Sequence, residues 1–311
     1  MRRLHYALAG LGIQIAGCTT CPRGIESTRE RHVVVLPGIF GTRMDNGGTR
    51  RFCRQIEREL PEVSAQVWDW TLIERTVSVA GVDNLTDYAR NRRRAACLAE
   101  HIQAWRERHP DTPLYLVGQS GGAGIALFAC EALPVEAKVE AVVLVSAGIS
   151  PTYDVSGALQ RTRRGIYNYY SGEDDKLLDE FTTNLGTIDR VYGPAAGYVG
   201  FKTDDPRVFQ LAWQPAMREL GNAGGHPEGL QRRFAREYLL PLFRADRARV
   251  PPEWRSGAIR KGSFHCPSRF LDKALLTTWN ERRCKHRLPA HLVSKVIVQD
   301  GECTTQCATA L

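Results

Sequence analysis

The sequence predicts an α/β fold: a doubly wound, mainly parallel sheet between two helical layers, without a large lid. Short β-branched and apolar runs alternate with helix-length segments, and several of these runs are apolar throughout, as in strands buried on both faces. A glycine-rich turn at residues 118–122 joins one such run to a helix. Strands that alternate with long helices form right-handed crossovers, which cover both faces of a parallel sheet. We therefore expect a three-layer α/β/α sandwich.

The strands are predicted from apolar runs bounded by turn residues, at 32–36, 64–70, 114–117, 139–145, 166–170 and 208–213. Helices are predicted at 49–60, 87–109, 121–133, 155–163 and 228–243. About 20 residues separate the fourth strand from the fifth, which is enough for one helix but not for a helical lid. The sequence therefore predicts an open face above the sheet.

Length and composition indicate one large folded domain with an extension at each end. The chain has 311 residues, of which 43% are hydrophobic, so wholesale disorder is excluded. Residues 1–30 are predicted as an export signal and linker, and residues 31–248 as the folded α/β domain. Residues 249–311 follow Pro251 and Pro252 as a basic, cysteine-containing tail, which we expect to be poorly ordered.

The N-terminus has the charged, apolar, small-residue order of an export signal. Arg2 and Arg3 precede a mostly apolar run at 4–16, which is shorter than the roughly 20 residues of a membrane-spanning helix. Residues 15–18 resemble a bacterial lipobox, in which the cysteine, here Cys18, becomes lipidated. We expect a location in the cell envelope, with a membrane surface as partner through this lipid. A cytoplasmic chain with a frayed N-terminus is the alternative, because His5 and Gln14 weaken the apolar run.

The formal charge is +8, and the densest basic run contains Arg90 and residues 92–94. We interpret this run as a solvated helix face, with a patch for anionic partners as the alternative. No nucleic-acid-binding motif accompanies it, so no nucleic-acid partner is expected.

The cysteines do not establish the compartment. Cys97 and Cys130 lie in apolar helical contexts and are predicted to be small buried hydrophobes. In an exported chain, four others could form disulfides whose pairing the sequence does not give: Cys266, Cys284, Cys303 and Cys307. The spacing of His265, Cys266, Cys284 and His286 fits no zinc motif, so neither a metal nor another cofactor is expected.

Ser120 is the predicted nucleophile. It stands in the sequence Gly-Gln-Ser-Gly-Gly between a strand at 114–117 and a helix that begins at Gly121, which is the strand-turn-helix context of a nucleophile elbow. Glycines are required there because the sharp turn leaves no room for neighbouring side chains. A phosphate-binding loop is the alternative for such a turn, but its Lys-Ser/Thr pair is missing.

An acyl-transfer serine also needs two N–H donors for the oxyanion. The residue after the nucleophile, Gly121, supplies one in such an elbow. The second is expected from the loop after the first strand, Pro37-Gly38-Ile39, with Ile39 as donor.

The general base and its orienting acid are expected after the serine, in the order acid and then histidine. His226 follows the last predicted strand and a glycine-rich loop and directly precedes the final helix, whereas His265, His286 and His291 lie in the tail. The acid is expected in the turn after the fifth strand. Asp174 is preferred there over Asp175, although a shift of one residue would exchange them.

Together these segments, with residues 68–71, resemble the α/β-hydrolase superfamily over residues 32–245, and Pro37-Gly38 is closest to its lipase-like members. Many relatives have His where Gln119 stands. The resemblance implies a Ser-His-Asp triad and hydrolysis of a small-molecule or lipid carboxylic ester without a cofactor. An amidase or peptidase, an acyltransferase and a catalytically silent binding protein remain alternatives.

Overall fold

The computed structural model describes residues 24–26, 29–44, 47–71, 77–244 and 254–256, and the strands at 295–299 and 302–306. The chain divides into two compact units, Met1–Ile259 and Arg260–Leu311.

The first unit contains a seven-stranded sheet in the order β2-β1-β3-β4-β5-β6-β7. The first six strands are all parallel, and β7 pairs antiparallel with β6. The strands are β1 (Arg31–Leu36), β2 (Val63–Val67), β3 (Leu114–Gln119), β4 (Ala141–Val145), β5 (Ile166–Tyr170), β6 (Val208–Ala212) and β7 (Arg255–Ser256).

The α-helices of the described chain fill the connections. They are α1 (Gly41–Met44), α2 (Gly48–Glu59), α3 (Val77–Thr86), α4 (Tyr88–Arg108), α5 (Gly121–Ala132), α6 (Ser156–Gln160), α7 (Thr182–Leu185), α8 (Ala196–Val199) and α9 (Arg232–Phe234). The backbone N–H groups in the first turn of a helix have no partner within the helix. The side chain of Asp87 caps α4 by accepting a hydrogen bond from one of them, the N–H of Arg90. No helix in the described ranges is long and apolar enough to cross a membrane.

Two hydrophobic cores lie on opposite faces of the sheet, because successive side chains of a strand point to opposite sides. In β1, Val34 and Leu36 pack in the core with α4 and α5. Val33 and Val35 pack in the other core, which contains Phe52 of α2. The predicted three-layer α/β/α sandwich is thereby confirmed.

Most predicted elements match the structure, and β5 matches at both ends. The prediction of a helix at 228–243 is wrong, because these residues form a series of short 3₁₀, α and π turns rather than one continuous helix. Pro241 contributes to the break because proline has no N–H for a helical hydrogen bond. The helix α3 and the turns between β5 and β6 were not predicted from the sequence.

The second unit contains an antiparallel pair of strands that the sequence analysis did not predict, β8 (Lys295–Gln299) and β9 (Glu302–Gln306). The predicted domain boundary at residue 248 lies outside the described residues. In the first unit, Trp254 is buried and immediately precedes β7.

Two predictions about side chains are corrected. Cys97 is not a simple buried hydrophobe, because it is disulfide-bonded. Within the described chain, Cys53 and Cys130 form no disulfide. Arg90 does not belong to a solvated face, since it is buried and donates hydrogen bonds to the side chains of Asn84 and Asn91.

Candidate active site

Ser120 occupies a strained turn between β3 and α5. Its φ of 53° and ψ of −124° lie in a region that residues with a side chain seldom adopt. The flanking glycines explain how the turn closes: a Cβ on Gly118 would lie 2.5 Å from Cα of Ala123, and one on Gly122 would collide with the carbonyl oxygen of Leu36. Sterics therefore fix the backbone that presents Ser120.

The predicted oxyanion donors lie together beside Ser120. A Cβ added to Gly121 would lie 2.6 Å from Cγ2 of Ile39, and one added to Gly38 would lie 3.2 Å from Cβ of Ser120. No hydrogen bond of the described chain uses the backbone N–H of Ile39 or Gly121. Both N–H groups are therefore available to an oxygen bound at this turn.

Side chains from two other segments fix the loop that contains Ile39. The indole N–H of Trp70 donates to the carbonyl oxygen of Pro37 at 2.8 Å. The carboxylate of Asp69 accepts hydrogen bonds from the backbone N–H and the hydroxyl of Thr42, at 3.0 and 2.8 Å. These bonds hold both ends of the loop from the segment that follows β2.

Asn84 holds the centre of the same loop, and the sequence analysis missed it. Its Nδ2 donates to the carbonyl oxygen of Ile39 at 2.6 Å. Its Oδ1 accepts a hydrogen bond from Arg90 at 2.7 Å, and its own carbonyl oxygen accepts one from Asn91. No motif marks Asn84, because its partner lies 45 residues away in the chain.

The structure brings His226 and Asp174 together. Nδ1 of His226 lies 2.6 Å from Oδ2 of Asp174, whose side chain is 3% exposed. Asp175 is exposed, and its carboxylate accepts the backbone N–H of Lys176. A carboxylate accepts hydrogen bonds only, so the neutral imidazole carries its hydrogen on Nδ1 and keeps Nε2 free to accept a proton.

Hydrogen bonds of Asn222 support the turn that carries His226. The fully buried side chain of Asn222 accepts from the N–H of Gly224 at 2.9 Å and donates to the hydroxyl of Tyr169 at 2.7 Å. The indole N–H of Trp213 donates to the carbonyl oxygen of Asn222. Burial raises the pKa of Tyr169, so its hydroxyl stays neutral and can accept this hydrogen bond.

Ser120 and His226 line one cavity of about 730 Å³, together with Ile39 and Gly121. In the described chain no hydrogen bond joins Ser120 to His226, and such bonds often tighten only when a substrate is bound. The cavity is lined by many apolar side chains: Ile39, Phe40, Phe52, Leu85, Leu177, Leu178, Phe181 and Leu230. An apolar site of this size accommodates a small organic molecule.

The expectation of an open nucleophile is wrong, because Ser120 is only 9% exposed. The connection after β4 is short, as predicted. However, the connection after β5 contributes Leu177, Leu178 and Phe181 to the cavity wall. The side chains that cover the site therefore come from the connection after β5, whereas the prediction considered the connection after β4.

The other predicted site residues are not described in the structure. Cys18 and the four residues tested for zinc binding lie outside the described residues. Within the described ranges, no group of His, Cys, Asp and Glu side chains is arranged to hold a metal ion.

Six parallel strands, with a strained serine turn after β3 and a histidine after β6, define an α/β-hydrolase fold. This confirms the resemblance found in the sequence. No protein-family model matches the chain, and no curated protein matches it at a significant level.

Solved structures similar to this one include a dienelactone hydrolase from Anabaena variabilis. It shares 17% identity, the match covers 71% of this chain and 90% of that chain, and the TM-score is 0.41. A dienelactone hydrolase-like promiscuous phosphotriesterase from metagenomic libraries shares 18% identity, with coverage of 70% and 87% and a TM-score of 0.40. A metagenome-derived lipolytic enzyme shares 11% identity, with coverage of 68% and 91% and a TM-score of 0.38.

Proposed function

We propose that this protein is a serine hydrolase that cleaves a carboxylic ester with Ser120, His226 and Asp174. The observation that carries the proposal is the cavity that Ser120 shares with His226, whose other ring nitrogen is paired with Asp174. A serine held in strained backbone angles at a largely apolar cavity has no evident structural purpose, whereas it suits a nucleophile.

In the proposed mechanism, Oγ of Ser120 attacks the acyl carbon while Nε2 of His226 takes the hydroxyl proton. Asp174 holds the ring and stabilises the imidazolium that forms. The N–H groups of Ile39 and Gly121 bind the oxyanion. The imidazolium then protonates the leaving alcohol, and water hydrolyses the acyl-enzyme through the reverse steps.

Labelling with a fluorophosphonate probe tests the serine directly. We expect the wild-type protein to be labelled, and Ser120→Ala and His226→Ala to lose labelling, since both the nucleophile and its activation are needed. Ser156→Ala, an exposed serine at the start of α6, is the control and should be labelled like the wild type. A folded wild-type protein that is never labelled would contradict the proposal and favour a silent binding protein.

A panel of esters, amides and acyl acceptors then separates the proposed reaction from its alternatives. Hydrolysis of 4-nitrophenyl esters without cleavage of the matching anilides is the expected result. Cleavage of the anilides at a comparable rate would instead indicate an amidase. Transfer to an added alcohol in preference to water would indicate an acyltransferase.

We also propose that the protein is exported to the cell envelope, with Cys18 as a lipid anchor. The disulfide of Cys97 supports export, because disulfides persist in oxidising compartments.

Peptide mapping of the envelope fraction without reduction tests this location. We expect a disulfide-linked peptide that contains Cys97, and an acylated N-terminus at Cys18. An unmodified Met1 together with a free Cys97 thiol would contradict export.

A further inference from the structure

Arginine side chains line one wall of the cavity that contains Ser120. Arg51, Arg54 and Arg58 belong to α2, and Arg232 belongs to α9. All four are exposed, so they lie at the mouth of the cavity rather than in its apolar interior. The side chain of Gln55 connects the two elements by donating to the carbonyl oxygen of Arg232 at 2.8 Å.

The arginines of α2 point to one side of the helix. With 100° between successive residues, Arg51, Arg54 and Arg58 fall within an arc of about 60°. Like charges three and four residues apart on a helix repel each other. Arg54 and Arg58, four residues apart, therefore repel each other, and a bound anion would relieve this repulsion.

The acidic residues of α2 do not pair with Arg54 or Arg58 within the described chain. Glu57 accepts a hydrogen bond from the N–H of Ala65 in β2, and Glu59 pairs with Arg236 at 2.7 Å and with Arg232 at 3.7 Å. Arg54 and Arg58 have no ion pair or hydrogen bond within the described chain. No acidic side chain lines the cavity in the described ranges.

We propose that the substrate is an amphipathic ester with an anionic group, a carboxylate or a phosphate, which Arg54 and Arg58 bind at the mouth of the cavity. The apolar part of the substrate then lies against Leu178 and Phe181, with its ester carbonyl at Ser120. This inference rests on the proposed hydrolase function and names its substrate class.

Three ester pairs matched in size test the proposal and locate the anion. Mono-4-nitrophenyl adipate against 4-nitrophenyl hexanoate places the charge on the acyl chain. A carboxylated nitrophenyl hexanoate places it on the leaving group. Dihexanoyl phosphatidylglycerol against dihexanoyl phosphatidylcholine distinguishes a lipid headgroup from a free anionic ester.

We expect the wild-type enzyme to prefer the anionic member of at least one pair. Arg54→Gln and Arg58→Gln should each reduce that preference about two- to fivefold, measured as the ratio of the kcat/KM values for the anionic and the neutral ester. Arg93→Gln, an exposed arginine of α4 that does not line the cavity, is the control. Raising NaCl from about 0.05 M to about 0.5 M should also reduce the preference, because salt screens exposed charges.

Equal preference in the wild type and in Arg54→Gln/Arg58→Gln would overturn the anion site while leaving the hydrolase function intact. If no ester is hydrolysed, calorimetric titration of Ser120→Ala with mono-4-nitrophenyl adipate separates the two failures. Binding that requires Arg54 and Arg58 would support the anion site alone. No binding would overturn it.

Discussion

Ser120 and His226 reach the same cavity from turns that are held in different ways. The turn of Ser120 is set by sterics within a few residues, where glycines leave room for backbone atoms. The turn of His226 depends on hydrogen bonds to distant residues, from Asn222 to Tyr169 and from His226 to Asp174. A contiguous motif can therefore specify the first turn, whereas the second depends on the assembled sheet.

The largest expected effect concerns the acid that orients His226. Asp174→Asn should lower kcat about 10⁴-fold, because the amide favours the wrong tautomer of the ring. Asp175→Asn should retain wild-type activity, since Asp175 is exposed and bonds only to the N–H of Lys176 in the described chain. Ester hydrolysis by the two variants is the measurement. Equal losses of activity in the two variants would show that the hydrogen bond between His226 and Asp174 does not identify the acid of the triad.

His32 lies at the opposite end of β1 from the loop that contains Ile39. Burial lowers the pKa of His32 to about 4, from an ordinary value of 6.5. In the unfolded chain His32 becomes protonated below pH 6.5, whereas in the folded chain it becomes protonated only near pH 4. On acidification from pH 6.5 to about pH 4, the free energy of unfolding should therefore fall by on the order of 3 kcal/mol. Above pH 6.5 this contribution of His32 to stability should be fully present.

Urea denaturation of wild type and His32→Gln across this pH range tests the effect of His32. The variant should lose less stability on acidification, since the buried imidazole is gone. Parallel pH profiles for the two proteins would rule out the assignment to His32.

The steric basis of the Ser120 turn is tested next. Gly122→Ala should lower the free energy of unfolding by about 1–3 kcal/mol, because its Cβ would collide with the carbonyl oxygen of Leu36. Gly172→Ala is the matched control, since a Cβ there has no heavy atom within 4 Å. Thermal or urea denaturation gives both values. Similar stabilities for the two variants would remove the steric explanation.

The smallest effect is expected at Asn84, which positions Ile39 without lining the cavity. Asn84→Asp keeps an oxygen for Arg90 and loses the donor to the carbonyl oxygen of Ile39. We expect kcat to fall about tenfold with little change in KM, since a misplaced oxyanion donor affects the transition state most. Wild-type kcat in this variant would show that the loop holds its geometry without Asn84.

The sequence by itself determined the alternation of strands and helices and the turn that carries Ser120, because these depend on local periodicity and on glycine sterics. It also predicted His226 as the base and Asp174 or Asp175 as the acid. The sequence did not decide which of the two carboxylates pairs with the imidazole of His226, because a shift of one residue in the turn exchanges them.

Only the tertiary structure showed that Asp174 is the aspartate buried beside His226, that Asn84 holds the loop that contains Ile39, and that the connection after β5 contributes to the cavity wall. Each of these contacts joins residues far apart in the chain. Their distances are decided by how the elements pack on the sheet, and no local pattern of residues records that packing.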